Sequence, residues 1–122
     1  LKNTLESLKT DYLDIYYFHS GIDEFFFQDH IWEFLNEMVK DGVIKKLGLS
    51  LNHGLVKSGS NKQLLAAKEY GISVVQTVLN LISREALEFV IPFCKSVFYL
   101  PDPSWFWLIL IKYQDLIHQT FC

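Results

Sequence analysis

Three polar side chains stand near the ends of short apolar stretches, and their types suit hydrogen bonding to a small polar molecule. They are His19, Ser50 and Gln76, and Asn80 follows the third stretch. If these stretches are neighbouring parallel strands, their carboxyl ends meet at one mouth, where ligands of such folds bind. A histidine at a strand end is more often structural than catalytic, but three such groups together favour a site.

Other chemistries have weaker support in the residues. Glu33 and Glu37 lie one helical turn apart, opposite an apolar stripe, so we expect them to face solvent and not to form an acid–base pair. Gly54 and Gly59 are not followed by the Lys-Ser/Thr of a phosphate loop. The four histidines lack metal-ligand spacing, and no nucleophile elbow is present. We therefore predict neither a metal site nor a hydrolase triad.

The composition is that of a globular protein. The 122 residues are 50% apolar, with 10 Phe, 6 Tyr and 3 Trp, which excludes intrinsic disorder. With 11 basic against 14 acidic residues, nucleic-acid binding is not expected. The apolar run 105–111 is too short to span a membrane. Cys94 and Cys122 are far apart and no signal peptide opens the chain, so we predict a cytoplasmic protein.

Hydrophobic periodicity predicts alternating helices and strands. The predicted elements are a helix tail over 1–8, strands over 12–19, 43–51 and 72–78, and helices that follow the N-caps Asp29, Ser60 or Asn61, and Ser83. Residues 20–23 and 52–59 are predicted to be loops. Such alternation is typical of an α/β fold with a parallel sheet, either an open doubly wound sheet or part of an eight-stranded barrel.

Several of these elements carry predictions about burial. The first strand is nearly continuously apolar, so it should be covered on both faces. The second helix should bury a stripe of Ile31, Phe34, Leu35, Met38 and Val39. The last helix should bury Leu87, Val90, Ile91 and Cys94, and Pro92 should kink or restart it.

Four segments resemble motifs of the aldo-keto reductases. Residues 7–19 are similar to the family's SLK-x-DY-x-D-x-Y-x-x-H, and residues 39–50 to its V-K-x-G-K-I-R-x-I-G-V-S. Residues 74–85 resemble V-V-Q-x-x-Y-N-L-x-x-R-E, and residues 91–94 resemble L-P-F-C. The resemblance implies that 1–96 form a partial TIM-type (β/α)8 barrel of three to four βα units, and that 97–122 are a divergent tail.

The resemblance also implies an activity, the NADPH-dependent reduction of a small aldehyde or ketone. His19 matches the family histidine that orients the carbonyl oxygen. Ser50, Asn52 and Gln76 match positions that hold the nicotinamide carboxamide, although Leu51 stands where many members have Asn directly after the serine.

The family's catalytic Asp, Tyr and Lys lie upstream of the segment that Leu1 represents. Only one of the four catalytic groups, His19, is therefore present. We expect a fragment that is inactive alone, and the alternative is a non-catalytic partial-barrel interaction module. Exposed sheet edges would allow self-association. From about Ser96 the sequence departs from the family pattern, and Tyr99 is not assigned the family's stacking role. The run 105–111 is predicted to form a short strand or one helical turn.

Overall fold

A computed structural model of the chain describes residues 1–79, 82–98 and 109–112. Its elements in chain order are α1 (Lys2–Leu8), β1 (Leu13–His19), α2 (Asp23–Phe26), α3 (Asp29–Lys40), β2 (Ile44–Ser50), α4 (His53–Lys57), α5 (Lys62–Ala66), β3 (Ile72–Val78), a π-helical segment (Ala86–Val90), α6 (Ile91–Phe98) and β4 (Ile109–Lys112).

The four strands form one sheet in the order β1-β2-β3-β4, and each pairing is parallel. Helices connect β1 to β2 and β2 to β3, as parallel strands require. The prediction of an α/β fold with parallel strands is confirmed. The bounds of β3 are those predicted from the sequence, β1 begins one residue later than predicted, and β2 is one residue shorter at each end. In the described part of the chain the sheet is open, and closure into a barrel stays a prediction.

The burial predicted for β1 is wrong. This strand lies at the end of the described sheet, its residues are mostly half-buried, and Asp14 and His19 are exposed. Lys45 on β2 donates to the Asp14 carboxylate at 2.8 Å, and its Nζ lies 4.0 Å from the centre of the Tyr12 ring. The apolar run therefore predicts the strand but overstates its burial, because β1 has a neighbouring strand on one side only among the described residues.

Two positions of the apolar stripe of α3 differ from the prediction, while four of its five predicted residues lie in or against the core: Ile31, Leu35, Met38 and Val39. Trp32 and Leu35 are buried, whereas Phe34 is 49% exposed. Trp32 is drawn inward because its Nε1 donates to the carbonyl oxygen of Phe26 at 2.6 Å and its ring stacks on Tyr70. The indole thus combines apolar burial with a satisfied donor.

The segment predicted to be a loop at 52–59 contains α4. The Asn52 side chain caps this helix, because its Oδ1 accepts hydrogen bonds from the backbone N–H groups of Gly54 and Leu55. The helix α2 was not predicted either. In contrast, α5 is four residues shorter than the helix over 62–70 that the sequence pattern predicts, and the chain turns before β3 at Gly71, whose φ is +73°.

The last helix changes its winding where a kink or restart was predicted. A π-helical segment over Ala86–Val90 passes without a break into α6, so Pro92 lies inside a continuous helical stretch, where its missing N–H and its ring disfavour regular α winding in the preceding turn. Val90 and Cys94 are buried as predicted, but Leu87 is 44% exposed. The wider π turn rotates Leu87 away from the face that Val90 and Cys94 share.

Part of the tail is described as well. Ile109–Lys112 pairs with β3, with Ile109 opposite Val75 and Lys112 opposite Val78. The backbone there is a strand, one of the two forms predicted for 105–111, and the rest of the tail lies outside the described residues. Among the described helices, none has the length and apolarity that a membrane crossing requires.

Cys94 should be nearly inert towards alkylation while the protein is folded. It is 4% exposed, and burial raises the pKa of its thiol from 9.0 to about 11. At pH 8 its thiolate fraction is therefore about 100-fold lower than that of a free thiol. We expect a Cys122→Ser variant, which keeps Cys94 as its one thiol, to react with iodoacetamide at least about 100-fold more slowly in buffer than in urea. Equal rates would contradict this burial.

The same pKa shift has a consequence for stability. The folded chain keeps the Cys94 proton to higher pH than the unfolded chain does, so this contribution is complete below about pH 9 and is lost as the pH rises towards about 11. Urea unfolding should show a smaller loss of stability between these pH values in Cys94→Ala than in the parent chain.

Candidate functional site

The three predicted polar side chains occupy one row across the sheet. In the strand register His19 lies opposite Ser50, and Ser50 lies opposite Gln76. Paired residues of neighbouring parallel strands share a face, and adjacent strands lie about 4.8 Å apart. We call His19, Ser50 and Gln76 the polar row. His19 and Ser50 are the last residues of β1 and β2, and Gln76 is the third residue from the end of β3, so the three lie side by side near the carboxyl ends of the strands. Their role in a site stays a prediction.

The polar row faces away from the helices. Phe18, Leu49 and Val75, each one residue before a member of the row, belong to the hydrophobic cluster that also contains Trp32 of α3 and Leu64 of α5. Because side chains alternate along a strand, the row lies on the opposite face of the sheet. The helices therefore pack against the other face of the sheet and do not cover the polar row.

The side chains of the row differ in exposure. His19 is exposed, Gln76 is half-buried and Ser50 is 6% exposed. Within the described residues none of the three side chains forms a hydrogen bond. The backbone nearby is firmly held, because the Ser20 N–H donates to the Ser50 carbonyl at 2.8 Å and the Leu51 N–H to the Gln76 carbonyl at 2.9 Å. The row thus offers donors and acceptors on a fixed frame.

Asn52, the fourth predicted residue, has a structural role of its own. Its Nδ2 donates to the Ser20 carbonyl at 2.9 Å, while its Oδ1 caps α4. The side chain therefore joins the end of β1 to the segment after β2. One Nδ2 hydrogen is not used by another described residue. A contact of Asn52 with a cofactor stays a prediction.

Tyr17 is a residue of this face that the sequence analysis did not single out. It lies opposite Gly48 in the register, and a Cβ on Gly48 would lie 2.5 Å from the Tyr17 ring. The tyrosine hydroxyl is buried without a hydrogen-bond partner among the described residues, and burial raises its pKa. Tyr17 is therefore a neutral phenol at physiological pH. It lies two residues before His19 on β1, on the same face of the sheet.

Gln63 was also missed. It is the second residue of α5 and is 3% exposed, and its amide reaches the segment that follows β1. A single glutamine near a predicted helix start gives no sign of such a contact.

The remaining candidates, Asn80 and Tyr99, lie outside the described residues.

The chemistry of the polar row suits a carboxamide. A carboxamide presents two N–H donors and one carbonyl acceptor, and the Ser50 hydroxyl and the Gln76 amide can each donate and accept. On adjacent strands they can bind both ends of such a group.

Among residues 1–79 and the other described segments, no group of three His, Cys, Asp or Glu side chains could hold a metal ion.

Comparison with known proteins adds one match. Residues 1–97 of the 122-residue chain match the family model of the aldo/keto reductases. Among curated proteins no match was found. The matched range contains the polar row, Asn52 and the three strands β1, β2 and β3.

Proposed function

The chain belongs to the aldo/keto reductase family, and from this premise we propose that the polar row binds the nicotinamide of NADPH and the carbonyl of a small aldehyde or ketone. The observation that carries the proposal is the register of His19, Ser50 and Gln76 on three adjacent strands. The three groups lie in one line, without partners among the described side chains, on the face free of helices.

His19 has the position to orient the substrate. In a carbonyl reduction NADPH supplies a hydride to the carbonyl carbon, and negative charge develops on the carbonyl oxygen. A donor already aimed at that oxygen lowers the barrier, because no group has to reorganise as the charge appears. His19 is exposed at the end of β1, so its imidazole can reach a ligand lying over the row.

Ser50 and Gln76 have the position to orient the nicotinamide. Their side chains lie beside His19 in the row and can hold the ring carboxamide between them. Fixing the carboxamide decides which face of the ring meets the substrate. Ser50 is the more buried of the two, so its hydrogen bond would be the better shielded from water.

The proposed role covers part of a reaction site. Reduction also needs a proton at the carbonyl oxygen, which the family takes from a Tyr with Lys and Asp neighbours upstream of the matching segment. We propose that this chain binds cofactor weakly, is inactive alone, and forms half of a TIM-type barrel whose other strands carry those groups. The four parallel strands and their connecting helices support the barrel architecture.

NADPH fluorescence titration of the full chain tests the proposal. We expect saturable micromolar binding by the parent chain and about tenfold weaker binding by Gln76→Ala, because one hydrogen bond to the carboxamide is lost. Gln28→Ala is the matched control, since Gln28 lies in the connection between α2 and α3 and its side chain bonds only the Glu24 carbonyl among described groups. It should bind like the parent chain.

Two outcomes would contradict the proposed function. One is equal affinity in Gln76→Ala and the parent chain. The other is no saturable binding, and if ultracentrifugation then shows concentration-dependent oligomers, the interaction module is favoured. That alternative has one observation behind it, because β1 ends the described sheet with an unpaired edge.

A further inference from the structure

The segment directly after His19 is held by side-chain amides from a distant part of the chain. Gln63 Nε2 donates to the Gly21 carbonyl at 3.0 Å and to Asp23 Oδ1 at 2.8 Å. Asn52 Nδ2 donates to the Ser20 carbonyl at 2.9 Å. The first four residues beyond β1 are therefore fixed by donors that follow β2.

This segment needs such support because its backbone is strained where it leaves the strand. Ser20 has a φ of +49°, in the left-handed region that residues with a Cβ seldom occupy. Its N–H donates to the Ser50 carbonyl at 2.8 Å, so the residue with this φ is tied directly to the end of β2. Without external donors, relaxation of the segment would move the adjoining His19.

The Gln63 side chain contributes the hydrogen bonds of its Nε2 and not packing alone. Its Oε1 is buried without a hydrogen-bond partner among the described residues. An unpaired buried carbonyl oxygen is unfavourable, and leucine at the same position would fill the space without one. The two bonds made by Nε2 are therefore the interactions that the amide contributes.

We infer that Gln63 is a positioning residue for His19: its amide holds the segment after β1 so that the imidazole stays in the polar row. The inference rests on the proposed function for the role of His19, but the position of the imidazole can be measured without any ligand. Gln63 touches neither substrate nor cofactor in this arrangement.

NMR of the full chain tests this inference through the Ser20 amide and the His19 ring. In Gln63→Leu we expect the Ser20 amide to exchange about tenfold faster, while the amides of Val74 and Val75 change less than about twofold. The His19 ring resonances, identified by their loss in His19→Gln, should shift, and the nuclear Overhauser effects to Ser50 that we expect from the strand register should weaken.

Two further variants keep the test sharp. Gln28→Leu removes the other glutamine of this region, which bonds the Glu24 carbonyl, and should leave Ser20 exchange and the His19 ring unchanged. Gln63→Glu places a second carboxylate against Asp23 and should mimic Gln63→Leu. Adding Asp23→Asn restores the hydrogen bond with residue 23 in the reversed direction but not the bond to the Gly21 carbonyl, so exchange should fall between that of Gln63→Glu and that of the parent chain.

The inference is overturned if Ser20 exchange and the His19 ring are unaffected in Gln63→Leu and Gln63→Glu. It is also overturned if Ser20, Val74 and Val75 accelerate equally, since Gln63 would then contribute only to global stability. Absence of NADPH binding by the parent chain would remove the proposed function but not a Gln63-dependent displacement of His19, so the two failures are distinguishable.

Discussion

Replacing Phe26 by alanine should lower the free energy of unfolding by about 3–5 kcal/mol, the range for deleting a large aromatic side chain from a packed core. Phe26 is fully buried, and its ring centre lies 5.0 to 5.4 Å from those of Phe18, Phe27, Trp32 and Tyr70. Phe18 lies on β1 and Trp32 on α3, whereas Phe27 directly follows α2 and Tyr70 lies between α5 and β3. The cavity left by alanine therefore loosens several elements at once.

The neighbouring residue provides the control for this prediction. Phe25 lies on the same short helix but is 58% exposed, so Phe25→Ala should change the free energy of unfolding by less than about 0.5 kcal/mol. Urea unfolding followed by tryptophan fluorescence measures both variants. Similar losses in the two would show that the helix contributes through its backbone and not through the buried ring.

The Phe26 cluster could not be predicted from the sequence. Residues 20–23 read as a loop, and a four-residue helix is too short to show a periodic stripe. The inward position of Trp32 depends on a hydrogen bond to the carbonyl of Phe26, and a helical pattern has no information about that acceptor. Hydrophobic periodicity therefore predicts that Phe34 is buried, and it does not predict the burial of Trp32.

The strands were predictable for a physical reason. β3 follows Gly71 and is rich in β-branched residues, so its composition predicts a strand and marks where it begins. The same reasoning gave β2. For β1 the composition predicts the strand but not its burial, because an apolar run does not tell whether the strand has neighbours on both sides in the sheet.

The polar row was predictable because it follows from topology. Once three strands are parallel, their carboxyl ends must lie at one edge of the sheet, and residues near those ends, here His19, Ser50 and Gln76, become neighbours. The amides that hold the segment after β1 do not follow from topology. Gln63 and Asn52 reach acceptors more than 30 residues earlier in the chain, which no local pattern encodes.

His19→Ala should lower carbonyl turnover about 10²–10⁴-fold in a chimera that completes the barrel with the amino-terminal half of a family member, while NADPH affinity changes less than about twofold. The imidazole matters most when negative charge has developed on the substrate oxygen, so its loss affects kcat more than ground-state binding. Ser50→Ala should show the opposite pattern, with weaker NADPH binding and a smaller effect on kcat.

Steady-state kinetics and NADPH titration on the same preparations separate these effects. His30→Ala is the matched control for His19→Ala, because His30 is an exposed histidine on α3, on the helical side of the sheet, and should change neither quantity. An equal loss of turnover and cofactor affinity in His19→Ala would mean that this imidazole supports the binding of both ligands. A carbonyl-orienting role requires that the two quantities separate, since the substrate oxygen and the nicotinamide carboxamide meet different members of the polar row.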